Sequence, residues 1–283
     1  MDFSRITSRA NSLIVDCVKL KDKKYRDSSH LFFLEGEKLN LEAASRSLAP
    51  VYIFIRKDLE DRCGQLFAPL IELCEKGGYF IVSREVFSKL STENSPQGII
   101  ACYRYLENVY DFDGADNVKE NFNNIKYVFK SFSNRYIILE RIQDPGNLGT
   151  IIRSACALGI SALLLVDCAD VYHPRTIRAS MGGIFNIPIC RFERVESAVS
   201  FVRRAVDTVY GAGLGQDSIN IKLFNKCWCE CAVIIGSEGE GLSEKAVSLC
   251  DKIIKIPMVN AQSLNAASAA SIIMWEMTSD IGQ

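Results

Sequence analysis

The segment RIQDPGNLGTIIR, residues 141–153, runs from a predicted strand through a turn into a predicted helix. Its Pro-Gly pair predicts the turn, and Asn147 is a residue type that caps helices, so we expect Asn147 as the N-cap. Arg153 lies inside the helix near its N-terminus, where a cation opposes the helix dipole. This position indicates a function such as binding a phosphate. The alternative is a surface arginine paired with Asp144, and the spacing alone favours neither reading.

Strands and helices alternate around this segment. The predicted strands after residue 135 are Tyr136–Glu140, Ala162–Val166, Ile187–Cys190, Thr208–Ala212, Ala232–Ile235 and Lys252–Ile256. The predicted helices are Leu148–Leu158, Thr176–Met181, Val195–Val206, Ser243–Cys250 and Ser263–Thr278. Six strands with helical crossovers predict an α/β fold with a mostly parallel sheet covered on both faces.

A second segment, IIGSEGEGLS at 234–243, is a strand that ends in a glycine-rich turn before a helix. The glycines allow the backbone to approach a ligand closely. Two carboxylates in the turn argue against a phosphate ligand, so Glu238 fits better beside a cation or a hydroxyl group. The alternative is an ordinary turn in which Ser243 caps the next helix.

A third segment, IPMVNAQSLNAASAA at 256–270, leads from a strand into a helix rich in small residues. Ser263 is a candidate cap of that helix, and Asn265 presents its amide at the same end. Small side chains also allow close helix packing, so the alternative is a cap followed by a tightly packed helix.

The N-terminal part predicts a smaller α/β domain over residues 1–105. An amphipathic helix is predicted over 4–24, and a second helix over Leu39–Arg46. Strands are predicted at Leu31–Leu34, Val51–Ile55, Tyr79–Val82 and Gly98–Tyr103. Residues 106–135 are acidic and rich in turn residues, which predicts a linker or insertion before a domain over 136–283.

Composition excludes several classes of protein. The 283 residues include 48% hydrophobic and 24% charged residues, which excludes a disordered chain, a collagen and a coiled coil. The net charge of −1 excludes a strongly basic nucleic-acid binder, but residues 1–30 contain seven basic and four acidic residues. Phosphate contacts need only a local basic face, so the near-neutral total does not exclude a nucleic-acid ligand.

The cysteines indicate a reducing compartment. Eleven cysteines are scattered without a CxxC pair, and the only dense group is Cys227, Cys229 and Cys231. Zinc sites need four ligands at defined spacings, so we expect reduced thiols and no metal. The N-terminus has no apolar signal segment, and no apolar run reaches the roughly 18 residues that span a membrane. We therefore expect a cytoplasmic protein.

Taken together, the three segments resemble the three motifs of the SpoU (TrmH-type) RNA ribose methyltransferases of the SPOUT superfamily, in the family's order and spacing. The similarity covers about residues 136–280, and residues 170–188 resemble the stretch between the first two motifs. Residues 1–105 resemble the RNA substrate-binding domain of the ribosomal-RNA branch, a ribosomal-protein-like α/β domain, on the segment FLEGEK at 33–38.

The resemblance implies a deep trefoil knot in the C-terminal domain, S-adenosylmethionine as cofactor, a homodimer and an RNA substrate. The reaction it implies is methyl transfer to a ribose 2′-hydroxyl in large-subunit ribosomal RNA. The residues it implies as cofactor-binding are Gly213, Gly236, Ile256, Met258 and Leu264. The residues it implies as catalytic are Asn147, Arg153, Glu238, Ser263 and Asn265. We expect Arg153 to bind an RNA phosphate and to stabilise the developing alkoxide, because an arginine is hardly ever deprotonated. We also expect modest RNA affinity with a shallow salt dependence, led by residues 1–30 and Arg153.

Three alternatives stay open. A transfer-RNA ribose methyltransferase is the rival within the same class, and the N-terminal domain counts against it. A catalytically silent RNA- or ribosome-binding protein of the same fold is the rival in another class. A dinucleotide-binding oxidoreductase is disfavoured, because no strand is followed by the GxGxxG pattern. The chain has two histidines, His30 and His173, and neither lies in a motif. His173 is more consistent with a loop residue before Pro174 than with a general base.

Overall fold

The chain forms two compact units. The computed structural model describes residues 4–62, 66–75, 77–112, 134–215, 217–223, 228, 230–260 and 263–278. The first unit consists of Met1–Leu106 with Tyr172–Gly182, and the second of Glu107–Val171 with Gly183–Gln283. Residues 113–133 of the predicted linker lie outside the described residues, and the boundaries 1–105, 106–135 and 136–283 stay a prediction.

The first unit is a five-stranded mixed sheet with helices. Its strands are β1 Ser4–Ile6, β2 Leu31–Glu35, β3 Tyr52–Arg56, β4 Tyr79–Val82 and β5 Ile99–Arg104. Its helices are α1 Ser12–Lys19, α2 Lys23–Ser29, α3 Glu37–Ser45, α4 Ala68–Leu73, α5 Arg84–Leu90 and α7 Pro174–Ser180, with a 3-10 helix at Lys57–Arg62. The strand order is β1-β4-β3-β5-β2, with β5 antiparallel to both neighbours.

The helix predicted over residues 4–24 is wrong. Ser4–Ile6 instead forms β1, which pairs with β4 in parallel. Asn11 accepts hydrogen bonds from the amides of residues 13 and 14 and thereby starts α1, and Asp22 starts α2 in the same way. Because each capping side chain starts a new helix, the apolar spacing of this stretch is divided among a strand and two helices.

The segment Tyr172–Gly182 completes the first unit. Tyr172 is buried and stacks on Tyr105 with ring centroids 3.8 Å apart, and its hydroxyl accepts a hydrogen bond from the Leu106 amide at 2.9 Å. His173 caps α7 by accepting a hydrogen bond from the Arg175 amide at 3.1 Å. His173 therefore caps a helix directly before Pro174, in keeping with the structural role that the sequence favoured over a general base.

The second unit is an eight-stranded parallel sheet. Its strands are β6 Val109–Asp111, β7 Arg135–Glu140, β8 Ala162–Val166, β9 Ile189–Phe192, β10 Thr208–Ala212, β11 Ile219–Asn220, β12 Cys231–Ile235 and β13 Lys252–Lys255. Its helices are α6 Pro145–Ala157, α8 Val195–Val202, α9 Glu244–Leu249 and α10 Ala266–Thr278, with 3-10 helices at Gly183–Phe185 and Ile221–Leu223. The order is β11-β13-β10-β12-β7-β8-β9-β6.

The parallel sheet confirms the predicted α/β class. Strands β7, β8 and β12 are buried along their whole length, as expected when helices cover both faces. The two edge strands of this sheet, β6 and β11, were not predicted from the sequence. Both are only two or three residues long, so their apolar pattern is too short to indicate a strand. The trefoil knot stays a prediction.

The cysteines described in the structure are free thiols. Burial raises the pKa of the Cys17, Cys168 and Cys231 thiols to about 12, so these side chains remain protonated at neutral pH. Cys227 and Cys229 lie outside the described residues. Within the described ranges, no group of three or more His, Cys, Asp or Glu residues could hold a metal ion. No helix in those ranges is long and apolar enough to cross a membrane.

Candidate active site

An open cleft lies at the carboxyl ends of neighbouring strands in the second unit. Strands β13, β10, β12 and β7 are adjacent, and the loops after the first three line a cleft of about 640 Å³. The chain proceeds from β7 to one side of the sheet through β8 and to the other side through β10 and β12. Ligands of parallel α/β sheets bind at such a reversal of strand order.

All five residues predicted to bind the cofactor line this cleft. They are Gly213, Gly236, Ile256, Met258 and Leu264. Glu238 and Ser263, from the predicted catalytic set, line it as well. Much of the remaining lining is apolar, with Leu242, Ile253 and Ile273 among its side chains. The cleft therefore offers apolar contacts beside exposed backbone groups, with the Glu238 carboxylate among its polar side chains.

The loop that contains Gly236 folds back on itself. Ser237 and Gly241 form a bridge, in which the Gly241 amide donates to the Ser237 carbonyl at 3.0 Å. A Cβ atom built on Gly236 would lie 2.5 Å from the Leu242 amide nitrogen and closer still to the Gly241 carbonyl. Because these neighbours are backbone atoms, only glycine fits at position 236 in this conformation.

Three of the predicted catalytic residues meet at the rim of the cleft. One carboxylate oxygen of Glu238, Oε1, accepts hydrogen bonds from Asn147 Nδ2 at 2.5 Å, Asn265 Nδ2 at 2.7 Å and the Ala266 amide at 3.1 Å. Asn265 Nδ2 also donates to Asn147 Oδ1 at 3.0 Å. The other oxygen of Glu238 has no hydrogen-bond partner among the described residues. This oxygen can accept a proton or a hydrogen bond from a ligand.

The predicted helix caps are wrong in two cases. Asp144, rather than Asn147, caps α6 by accepting the Asn147 amide at 2.8 Å. Asn265, rather than Ser263, caps α10 by accepting the amides of residues 267 and 268. Each of the two segments has two residues of a capping type no more than three positions apart, and capping propensity alone does not choose between them. Because Asp144 caps α6, the side chain of Asn147 does not serve as a cap, and its Nδ2 atom donates to Glu238 instead.

Arg153 lies away from this cluster. Its side chain is exposed on α6 and does not line the cleft. Arg153 makes no hydrogen bond or ion pair with another residue in the described part of the chain, so the pairing with Asp144 is not formed. Within one copy of the chain, the structure therefore brings together Asn147, Glu238 and Asn265, but not Arg153.

A model described as the SpoU rRNA methylase family matches residues 134–275, which is half of the chain. The chain belongs to the SpoU rRNA methylase family. A second model, the MRM3-like substrate binding domain, matches residues 11–101. Both matches confirm the resemblance that the three motifs and the N-terminal segment indicated.

Full-length similarity extends beyond the SpoU motifs. The chain is 29% identical over 276 residues to the 23S rRNA (guanosine(2553)-2′-O)-methyltransferase RlmP of Bacillus subtilis, covering 96% of this chain and 98% of the relative. It is 37% identical over 145 residues to the 23S rRNA (uridine(2479)-2′-O)-methyltransferase of Streptomyces viridochromogenes, covering half of each. A solved structure of an AdoMet-bound rRNA methyltransferase from Sinorhizobium meliloti matches with a TM-score of 0.81 and 26% identity, covering 99% of both chains.

Glu140, which supports the glycine-rich loop of this SpoU chain, was not among the site residues predicted from the sequence. Glu140 is buried at the end of β7, where its two oxygens accept the Ser243 hydroxyl at 2.7 Å and the Ser243 amide at 2.9 Å. Ser243 in turn caps α9 by accepting the Ala246 amide at 3.0 Å, which confirms the cap. The available signal was a carboxylate directly after the apolar run Tyr136–Leu139, because a buried carboxylate needs hydrogen-bond partners.

We expect a Ser243→Ala variant of the full chain to lose about 1–2 kcal/mol of unfolding free energy. The change removes the cap of α9 and one hydrogen bond to the buried Glu140 carboxylate. Urea unfolding followed by circular dichroism measures the loss. Ser248→Ala on the exposed side of α9 is the matched control and should change stability by less than about 0.5 kcal/mol. Equal stability of the two variants would contradict the role of Ser243.

Proposed function

We propose that this protein transfers a methyl group from S-adenosylmethionine to a ribose 2′-hydroxyl of large-subunit ribosomal RNA. The observation that carries the proposal is the Glu238 carboxylate, fixed by Asn147 and Asn265 at the rim of the cleft. The family supports the reaction class, and so do the activities of the two relatives, one matching the whole chain and one matching half of it. We also propose a cytoplasmic location, in keeping with a ribosomal RNA substrate.

The cleft fits S-adenosylmethionine. Its volume of about 640 Å³ lies in the usual range for small-molecule pockets. Gly213, Gly236, Ile256 and Leu264 would hold the cofactor through backbone groups, and Met258 would contribute an apolar contact. The closed turn at Gly236 has no room for a side chain, because a Cβ there would meet the Gly241 carbonyl and the Leu242 amide. When bound, S-adenosylmethionine supplies a methyl group on a positively charged sulfur, which suits a cleft bordered by the Glu238 carboxylate.

Glu238 would act as the proton acceptor for the ribose hydroxyl. Three N–H donors bind its Oε1 atom and thereby fix the carboxylate, while the second oxygen has no partner among the described residues. A carboxylate held in this way can take the hydroxyl proton as the oxygen becomes a nucleophile. Asn147 and Asn265 would act as positioning residues, because alignment of the reacting atoms is the main demand of an in-line displacement.

Arg153 would bind an RNA phosphate. Its guanidinium is exposed and carries no ion pair with the described residues, so it is available to a ligand. Ser263 lines the cleft and would contact the ribose. The first unit, with its basic N-terminal segment and its match to a substrate-binding domain, would bind the surrounding RNA.

We further propose a homodimer that buries the exposed face of α10. Trp275 is 63% exposed and Ile272 is 38% exposed on this helix. Helix α10 packs beside α6, where Ser154 and Ser271 share a hydrogen bond of 2.9 Å. Large apolar side chains clustered on one helix face are typical of protein interfaces. A second copy on this face would also lie near Arg153 of α6.

A Trp275→Glu variant should be monomeric where the wild type is dimeric, because a charge in an apolar interface is costly to bury. Sedimentation equilibrium of the full chain measures the change. Leu223→Glu is the matched control, since Leu223 is 76% exposed but lies outside α10. A wild type that is monomeric at all concentrations would contradict the dimer.

The function is tested by transfer of a labelled methyl group from S-adenosylmethionine to total RNA, followed by mapping of ribose methylation. We expect one methylated ribose in the large-subunit ribosomal RNA. Incorporation into transfer RNA alone would overturn the substrate class. No incorporation into any RNA, with cofactor binding intact, would favour a silent RNA-binding protein.

A further inference from the structure

Arg141 has a backbone conformation that residues other than glycine rarely adopt. It follows β7 directly and has a φ of +59°, in the left-handed region. Its amide donates to the Val166 carbonyl at 2.9 Å, which fixes this turn of the chain against β8. Glycine would adopt the same conformation without strain, so an arginine here indicates that its side chain has a use.

The side chain of Arg141 reaches the loop after the neighbouring strand β12. Nη1 donates to Glu240 Oε2 at 2.6 Å, and Nη2 donates to the Gly241 carbonyl at 3.4 Å. The adjacent residue, Glu140, binds Ser243 through both of its oxygens. Two consecutive residues of β7 and its following turn therefore hold the C-terminal half of this loop.

The carbonyl that Arg141 binds is the one that closes over Gly236. The Gly241 carbonyl is the nearest group to the position that a Cβ on Gly236 would occupy. Arg141 thus acts on Gly236 through a single backbone group. Because Gly236 lines the cleft, the orientation of the Gly241 carbonyl sets the shape of the cleft wall at that point.

We propose that Arg141 is a positioning residue for the cofactor, fixing the 236–241 loop in the shape that accepts a sulfonium nucleoside. The inference rests on the proposed function, since it takes the cleft as the S-adenosylmethionine site. Arg141 touches neither substrate nor cofactor. It acts by holding Glu240 and the Gly241 carbonyl, so that the loop does not have to be ordered when the cofactor binds.

The test is an Arg141→Gly variant of the full chain. Glycine relieves the left-handed strain, so the midpoint of thermal unfolding without cofactor should not fall. The dissociation constant for S-adenosylmethionine, measured by calorimetry, should rise about tenfold, as expected for loss of hydrogen bonds from a charged group. The KM for the cofactor should rise with it, while kcat at saturating cofactor and the KM for RNA stay unchanged.

Two controls separate positioning from a general effect on the fold. Asp167→Gly relieves a left-handed residue with a φ of +46° at the end of the neighbouring strand β8, and should leave cofactor affinity unchanged. Arg141→Lys keeps the charge but cannot donate from a planar fork, so its affinity should be intermediate. Glu240→Gln weakens the pair, and the double variant Arg141→Gly with Glu240→Gln should bind no more weakly than Arg141→Gly alone.

The outcomes are distinguishable. Unchanged cofactor affinity in Arg141→Gly overturns the inference, and so do fully additive losses in the double variant. A thermal midpoint that falls to the temperature of the titration also overturns it, because the weaker binding would then reflect unfolding of the variant. Failure of the wild type to bind S-adenosylmethionine would instead overturn the proposed function.

Discussion

A Gly236→Ala variant is expected to bind S-adenosylmethionine about 100-fold more weakly than the wild type, the order of effect that overpacking against fixed neighbours produces. The new methyl group would collide with the Gly241 carbonyl and the Leu242 amide. Neither is the end of a flexible side chain, so the loop must open and the cleft wall must move. Calorimetric titration with the cofactor measures the loss.

Gly239→Ala is the matched control for this variant. Gly239 belongs to the same loop, yet a Cβ built there has no atom within 4 Å. The control should therefore bind the cofactor like the wild type. Equal affinities of the two variants would show that the closed turn at Gly236 does not shape the cofactor site.

A Glu238→Gln variant is expected to retain cofactor binding while its rate of methyl transfer falls by about 10²–10⁴, the usual contribution of a general base. The glutamine oxygen can still accept the three N–H donors that Glu238 Oε1 accepts, so the geometry of the cluster persists. Only the charge and the proton-accepting oxygen are lost. Single-turnover methylation of RNA, with cofactor affinity measured in parallel, separates the two effects.

Glu244→Gln provides the comparison for charge alone. Glu244 is an exposed carboxylate in the first turn of α9, just beyond the loop, and its replacement should leave the rate unchanged. A Glu238→Gln variant with nearly the wild-type rate would mean that Glu238 only positions its neighbours. The proton acceptor would then have to be another group.

Much of the second unit was predictable because its strands are short apolar runs. Ala162–Val166 and Thr208–Ala212 were predicted with their observed limits, and the loops that follow the strands brought the cofactor residues to one edge. The cap of α6 was not predictable, because Asp144 and Asn147 have similar capping propensities. The contacts of Glu140 and Arg141 join elements about a hundred residues apart, and a single sequence carries no such distances.

The position of Arg153 shows a different limit. Its spacing from Asn147 identified it as a family residue, but spacing along a helix does not tell which exposed face meets the ligand. The prediction of one helix over residues 4–24 failed for a local reason. The Asn11 and Asp22 caps divide an apolar pattern that by itself fits one helix.

The segment Tyr172–Gly182 makes the first unit discontinuous in sequence. During synthesis, the ribosome must pass Gly182 before this unit has all of its parts, and until then Tyr105 lacks the ring of Tyr172 on which it stacks. Chimeras that exchange only residues 1–106 with a relative would inherit a mismatched Tyr172 segment. We therefore expect the two units of this protein to change together during evolution, and not to be exchanged independently between relatives.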